Sequence, residues 1–69
     1  MITLEQIQLR LAEAIKQSGM TQTALAKALN IKQPTVGQYL SGRALPALDT
    51  LANLCKLLDL DANYILCQE

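Results

Sequence analysis

Gln33 and Gln38 lie close in the chain, with Pro34, Gly37 and Ser41 among them and a cation at each end, Lys32 and Arg43. Carboxamides offer paired donors and acceptors, and the flanking cations attract anions without any bond being made or broken. That is recognition chemistry. The groups that catalysis needs are missing: there is no histidine to act as a base, no glycine-rich phosphate loop, and no cysteine beside an activating partner. Cys55 and Cys67 lack the CxxC spacing of a metal or redox pair, and a zinc site would need two more ligands from sparse carboxylates. Cys55 reads as a small core hydrophobe and Cys67 as a free thiol, so no metal, no cofactor and no enzyme activity are expected.

The elements that must hold these residues are helical. At 69 residues the chain is one small domain, spanning 1–69, whose folding buries only about 60% of the surface of the unfolded form. It is 51% apolar, too apolar for a disordered tail, and no apolar stretch is long enough to span a membrane. Charged residues break up the region where a signal sequence would lie, which points to a reducing, cytoplasmic setting. Ile7, Leu11 and Ile15, with Leu4 and Ala14 on the same side, predict a helix over roughly 4–18. Thr3 and Gln6 fit a capping box, Ile2 and Ile7 a hydrophobic staple, and Ser18-Gly19 a terminus. Thr21 caps a second helix ending near Leu29, with Leu25, Ala28 and Leu29 inward. A third runs from about Gln33 to Ser41, with Pro34 in its first turn and Gly42 closing it. Pro46 opens a fourth, with Leu48, Leu51, Leu54, Cys55 and Leu58 inward, and Asp61 caps a last turn carrying Tyr64, Ile65 and Leu66. The expectation is an all-α fold of five short helices around one core.

Helices two and three, joined through Asn30, Ile31 and Lys32, make a helix-turn-helix. At 100° per residue Val36, Tyr39 and Leu40 share one side of the third helix, and Pro34, Gly37, Gln38 and Ser41 the other, with Gln33 and Thr35 on the flanks. The outward side carries no acid. It suits the major groove of DNA, where glutamine pairs bidentately with adenine and proline offers apolar contact to a thymine methyl. Gly37 is either an ordinary helix glycine or a place where the backbone comes close to the groove wall.

The stretch TQTALAKALNIKQPTVGQYLSGR resembles the Cro/repressor helix-turn-helix family of phages and bacteria, the lambda repressor-like fold. Gln22, Leu25 and Ala26 match its first helix; Ile31, Val36 and Tyr39 its second; Ser41-Gly42-Arg43 its exit; and the segments from Leu51 to Leu58 and from Asp61 to Leu66 its last two helices. Asn30 stands where glycine is usual. The resemblance implies that Gln33, Pro34, Gly37 and Gln38 read bases, that Gln22 holds a phosphate and braces the first reading residue, and that Thr21, Lys32, Thr35, Ser41 and Arg43 contact the backbone. It also implies a homodimer on a palindromic operator, for which Leu60, Tyr64 and Leu66 are candidate contacts.

The net charge of zero hides a division along the chain. Residues 14–48 hold Lys16, Lys27, Lys32 and Arg43 with no acid, while residues 1–13 and 49–69 are net acidic. The expected function is a sequence-specific, double-stranded DNA-binding transcriptional regulator, a dimeric repressor. The alternative of another class is a protein-interaction module, such as an antitoxin, on the same fold.

Overall fold

The computed structural model describes residues 1–69, which form five α-helices and no strand: α1 (Leu4–Gln17), α2 (Gln22–Leu29), α3 (Gln33–Ser41), α4 (Leu48–Leu58) and α5 (Ala62–Ile65). Local chemistry sets the boundaries. The Thr3 hydroxyl accepts from the Gln6 amide and the Gln6 carboxamide accepts from the Thr3 amide, closing the capping box of α1. Thr21 caps α2 by accepting from Ala24, and Asp61 caps α5 by accepting from Asn63. Lys32 is the N-cap of α3 and makes no side-chain cap bond; Pro34 in the first turn supplies a preset φ there.

Three helices end on a residue of left-handed conformation followed by a six-to-one hydrogen bond. Asn30 ends α2 (φ 56°, ψ 44°) and Ile31 donates to Ala26. Gly42 ends α3 (φ 84°) and Arg43 donates to Gln38. Asp59 ends α4 (φ 54°, ψ 47°) and Leu60 donates to Cys55. Asparagine therefore performs at the α2–α3 turn what glycine does elsewhere, because its short polar side chain tolerates positive φ better than most.

Every helix contributes to one core: Leu11 and Ile15 from α1, Leu25 and Ala26 from α2, Val36 and Tyr39 from α3, Leu54 from α4 and Ile65 from α5. Three expected core positions differ. Ala28 is exposed and Ala26 is buried instead: at about 100° per residue Leu29 and Ala26 lie to one side of Leu25 and Ala28 to the other, and the core meets the side of Leu29 and Ala26. Leu4 and Leu48 are 69% and 85% exposed. Both stand in the first turn of their helices, which overhang the core at the same end of the molecule and line an open groove with Leu45, Pro46 and Leu66. Pro46 itself precedes α4, whose N-cap is Ala47.

Candidate nucleic-acid interface

The site is built on α3, and its inner face explains its stiffness. Val36 and Tyr39 are buried, and Ile31 and Leu40 pack partly buried against the core, so the helix cannot roll. Burial, and then the Asp49 carboxylate, push the Tyr39 phenol above its ordinary pKa, so it stays neutral through the physiological range. The opposite face is free. Gln33, Pro34, Gln38 and Ser41 are exposed, and Gly37 is half-buried beside them. Gln38 follows Gln33 by five positions, which is about 7.5 Å along a helix axis, or roughly two base-pair steps.

Gly37 faces the start of α2. A Cβ there would meet only Gln22 Oε1, at 3.6 Å, an ordinary contact. The Gln22 side chain thus lies across α3 beside Gly37 and makes no hydrogen bond to Gln33 within the unbound chain. The amides of Gln22 and Thr23 have no partner in the chain, so the first turn of α2 presents free N–H groups to solvent. The Thr21 oxygen is occupied as the cap, but its hydroxyl proton is free to donate. Thr35 is half-buried. Lys32 and Arg43 are exposed and unpaired, one at each end of α3; the ion pair of the chain is Arg10 with Glu69, on α1 and the C-terminus.

The start of α4 differs from that of α2. Its Asp49 carboxylate accepts from the Thr50 amide, placing a negative charge in the first turn. That helix start is already complemented by its own acid and repels a phosphate. Ser41 also behaves differently from its neighbours, because its hydroxyl donates back to the Gln38 carbonyl at 3.2 Å and leaves only oxygen lone pairs outward.

Two features of the site were not visible in the sequence. The Gln38 carbonyl accepts from the amides of Gly42, Arg43 and Ala44 at 3.1, 3.0 and 3.3 Å, so the exit turn folds back on the backbone of a residue whose side chain faces out. Gln8 of α1 then locks that turn from behind. Its Nε2 donates to the Tyr39 carbonyl at 3.1 Å, and its carboxamide lies so close to Gly42 that a Cβ there would come within 3.2–3.4 Å of it. Gln8 is one of several polar residues on α1, and no spacing marks it; the only available signal is its position one turn after Leu4 on the side of the helix that meets α3.

Of the candidate dimer contacts, Leu66 is 36% exposed and lines the open groove with Leu4 and Leu48. Leu60 and Tyr64 line a different groove, with Ala14, Leu58 and Ile65. Tyr64 is held from the other side, since Arg10 donates to its carbonyl at 2.7 Å and lies over its ring at 4.4 Å. The three residues do not share one surface.

The fold and this face define a class, the helix-turn-helix domain with a presented second helix. A family model for helix-turn-helix domains matches residues 11–65, from within α1 to the end of α5. The chain belongs to the Cro/C1-type helix-turn-helix family, whose members are DNA-binding transcription regulators. No curated protein and no solved structure matches it. No helix is long and apolar enough to cross a membrane.

Proposed function

We propose that this chain is a sequence-specific transcriptional repressor that binds a palindromic double-stranded operator as a homodimer, with α3 in the major groove. The outward face of α3 carries the proposal: exposed Gln33, Pro34 and Gln38 between unpaired Lys32 and Arg43, in a stretch of chain without a single acid. Gln33 and Gln38 read base edges, with adenine the preferred partner of a bidentate amide, and Pro34 contributes apolar contact. Gly37 lets the backbone approach. Lys32, Arg43, Thr35, the Thr21 hydroxyl and the free amides of Gln22 and Thr23 hold phosphates. Ser41 joins them by turning its hydroxyl away from Gln38.

Few cations face the duplex, so affinity per subunit is modest and two subunits are needed for a tight complex. Two phosphates neutralised by Lys32 and Arg43 give a salt slope of about 2 per subunit. A gel-shift titration across salt concentrations tests this. Binding that weakens with salt at about that slope supports the reading. Binding to no duplex at any salt would overturn it and favour the protein-interaction alternative.

A further inference from the structure

The carboxamides of Gln6, Gln8 and Gln17 are engaged within the chain: Gln6 accepts from Thr3, Gln8 donates to Tyr39 and Gln17 donates to Glu13. Gln22, Gln33 and Gln38 make no such side-chain bond, and all three are exposed. Gln33 and Gln38 belong to α3. Gln22 is the first residue of α2, yet its carboxamide oxygen lies 3.6 Å from the point where a Cβ of Gly37 would stand. The side chain therefore leaves its own helix and rests on the outward face of α3.

Gly37 makes room for it. Pro34, Gln38 and Ser41 each carry a side chain on that face, and Gly37 carries none. A longer side chain at position 37 would fill the space that the Gln22 carboxamide enters. Position 37 follows Gln33 by four, about one helical turn, and directly precedes Gln38, so the carboxamide from α2 stands among the two glutamines of α3. Phosphate binding at the start of α2 does not need this group, because the amides of Gln22 and Thr23 and the Thr21 hydroxyl proton are free for it. A carboxamide with no partner in the chain keeps both its donor and its acceptor, the pair that matches N7 and N6 of adenine.

We infer that Gln22 is a specificity-determining residue, whose side chain reads adenine in the major groove at a base pair of its own beside those read by Gln33 and Gln38. This rests on the reading of α3 as the base-reading helix. Gln22 reaches the groove only while Gln33 and Gln38 seat α3 there, so it refines a site and does not select one alone. The family resemblance implies a different role, a phosphate contact and a brace on Gln33. The two roles part in what they do to sequence preference.

The test is a binding series on the duplex that the wild type enriches from a random pool, with each base pair of the half-sites substituted in turn. Gln33→Ala and Gln38→Ala mark the pairs that those residues read. Gln22→Ala is expected to flatten a third pair, where the wild type prefers A·T about tenfold, and to leave the other two preferences standing. Gln22→Glu keeps the length of the side chain, adds an acid favourable in the first turn of α2 and loses the donors. It is expected to move the preference at that pair from adenine to cytosine, whose N4 donates. Thermal melts of both variants should match the wild type. The inference is overturned if Gln22→Ala weakens every duplex by one factor, flattens only the pair marked by Gln33, or changes nothing; each of these leaves the α3 reading standing. A wild type that enriches no duplex overturns the α3 reading and this inference with it.

Discussion

Gln8 Nε2 donates to the Tyr39 carbonyl at 3.1 Å, joining the first helix to the last turn of α3 across 31 positions of sequence. Tyr39 is also the core anchor of α3, and the turn that Gln8 braces returns three amides to Gln38. The face offered to DNA is therefore held by a core residue beneath it and by a side-chain clamp behind its exit.

Replacing Gln8 by Met keeps the length of the side chain and removes the donor. We expect a stability loss of about 1 kcal/mol in chemical denaturation, the usual contribution of one such bond. The amides of Gly42, Arg43 and Ala44 will exchange with solvent faster than in the wild type, while those in the middle of α1 will not. Unaltered exchange at those three amides would show that the exit turn holds itself.

Gly37 separates stability from binding. Because its Cβ would meet only Gln22 Oε1 at 3.6 Å, Gly37→Ala should stabilise the domain by about 1 kcal/mol through helix propensity. The same methyl stands on the face offered to DNA, and operator affinity should fall about tenfold. A thermal melt and a binding isotherm on one sample check both; a raised melting temperature with unchanged binding removes Gly37 from the interface.

Much of this fold was legible in the sequence because its signals are local. Thr3-Gln6, Thr21, Asp61 and Gly42 act within a turn of where they stand, and the spacing of Leu11, Ile15, Leu25, Val36 and Leu54 marks the core directly. Leu4, Ala28 and Leu48 show the limit. Helical spacing says which side of a helix is apolar, but only the packing of α1 and α4 at their first turns decides whether anything covers that side. The outward side of α3 was legible for the same reason as the core. Gln8 and the split among Leu60, Tyr64 and Leu66 were not, since they depend on contacts between α1 and distant parts of the chain.

Asp59 carries two local costs: a left-handed backbone at φ 54° and a negative charge at the C-terminus of α4. Asp59→Gly relieves both. Denaturant unfolding should show a gain of about 1 kcal/mol, with no change in DNA binding, since Asp59 closes α4 and is not among the residues of the proposed DNA face. A loss of stability would mean that the side chain has a partner in solution.

Burial raises the Tyr39 phenol above the ordinary tyrosine range and the Cys55 thiol above the ordinary thiol range, with smaller contributions from Asp49 and Asp61. In both cases the folded state favours the neutral form, so the contribution is complete below the unfolded values and is lost as pH rises through the folded ones. Melting temperature should therefore fall above about pH 9, first by way of Cys55 and then of Tyr39. In the Tyr64→Phe variant the phenolate absorbance reports Tyr39 alone and should develop above pH 10, close to the alkaline unfolding transition. Ionisation at the ordinary tyrosine value with the fold intact would contradict this.

The central claim is that the outward face of α3 reads DNA sequence. Selection of bound sites from random duplex DNA tests it most directly, run in parallel with the wild type and with the Gln33→Ala/Gln38→Ala double variant. We predict that the wild type enriches an inverted repeat with half-sites about one helical turn apart, and that the folded double variant enriches none while keeping salt-sensitive binding to any duplex. Enrichment of the same site by both proteins, or of no site by the wild type, would contradict it.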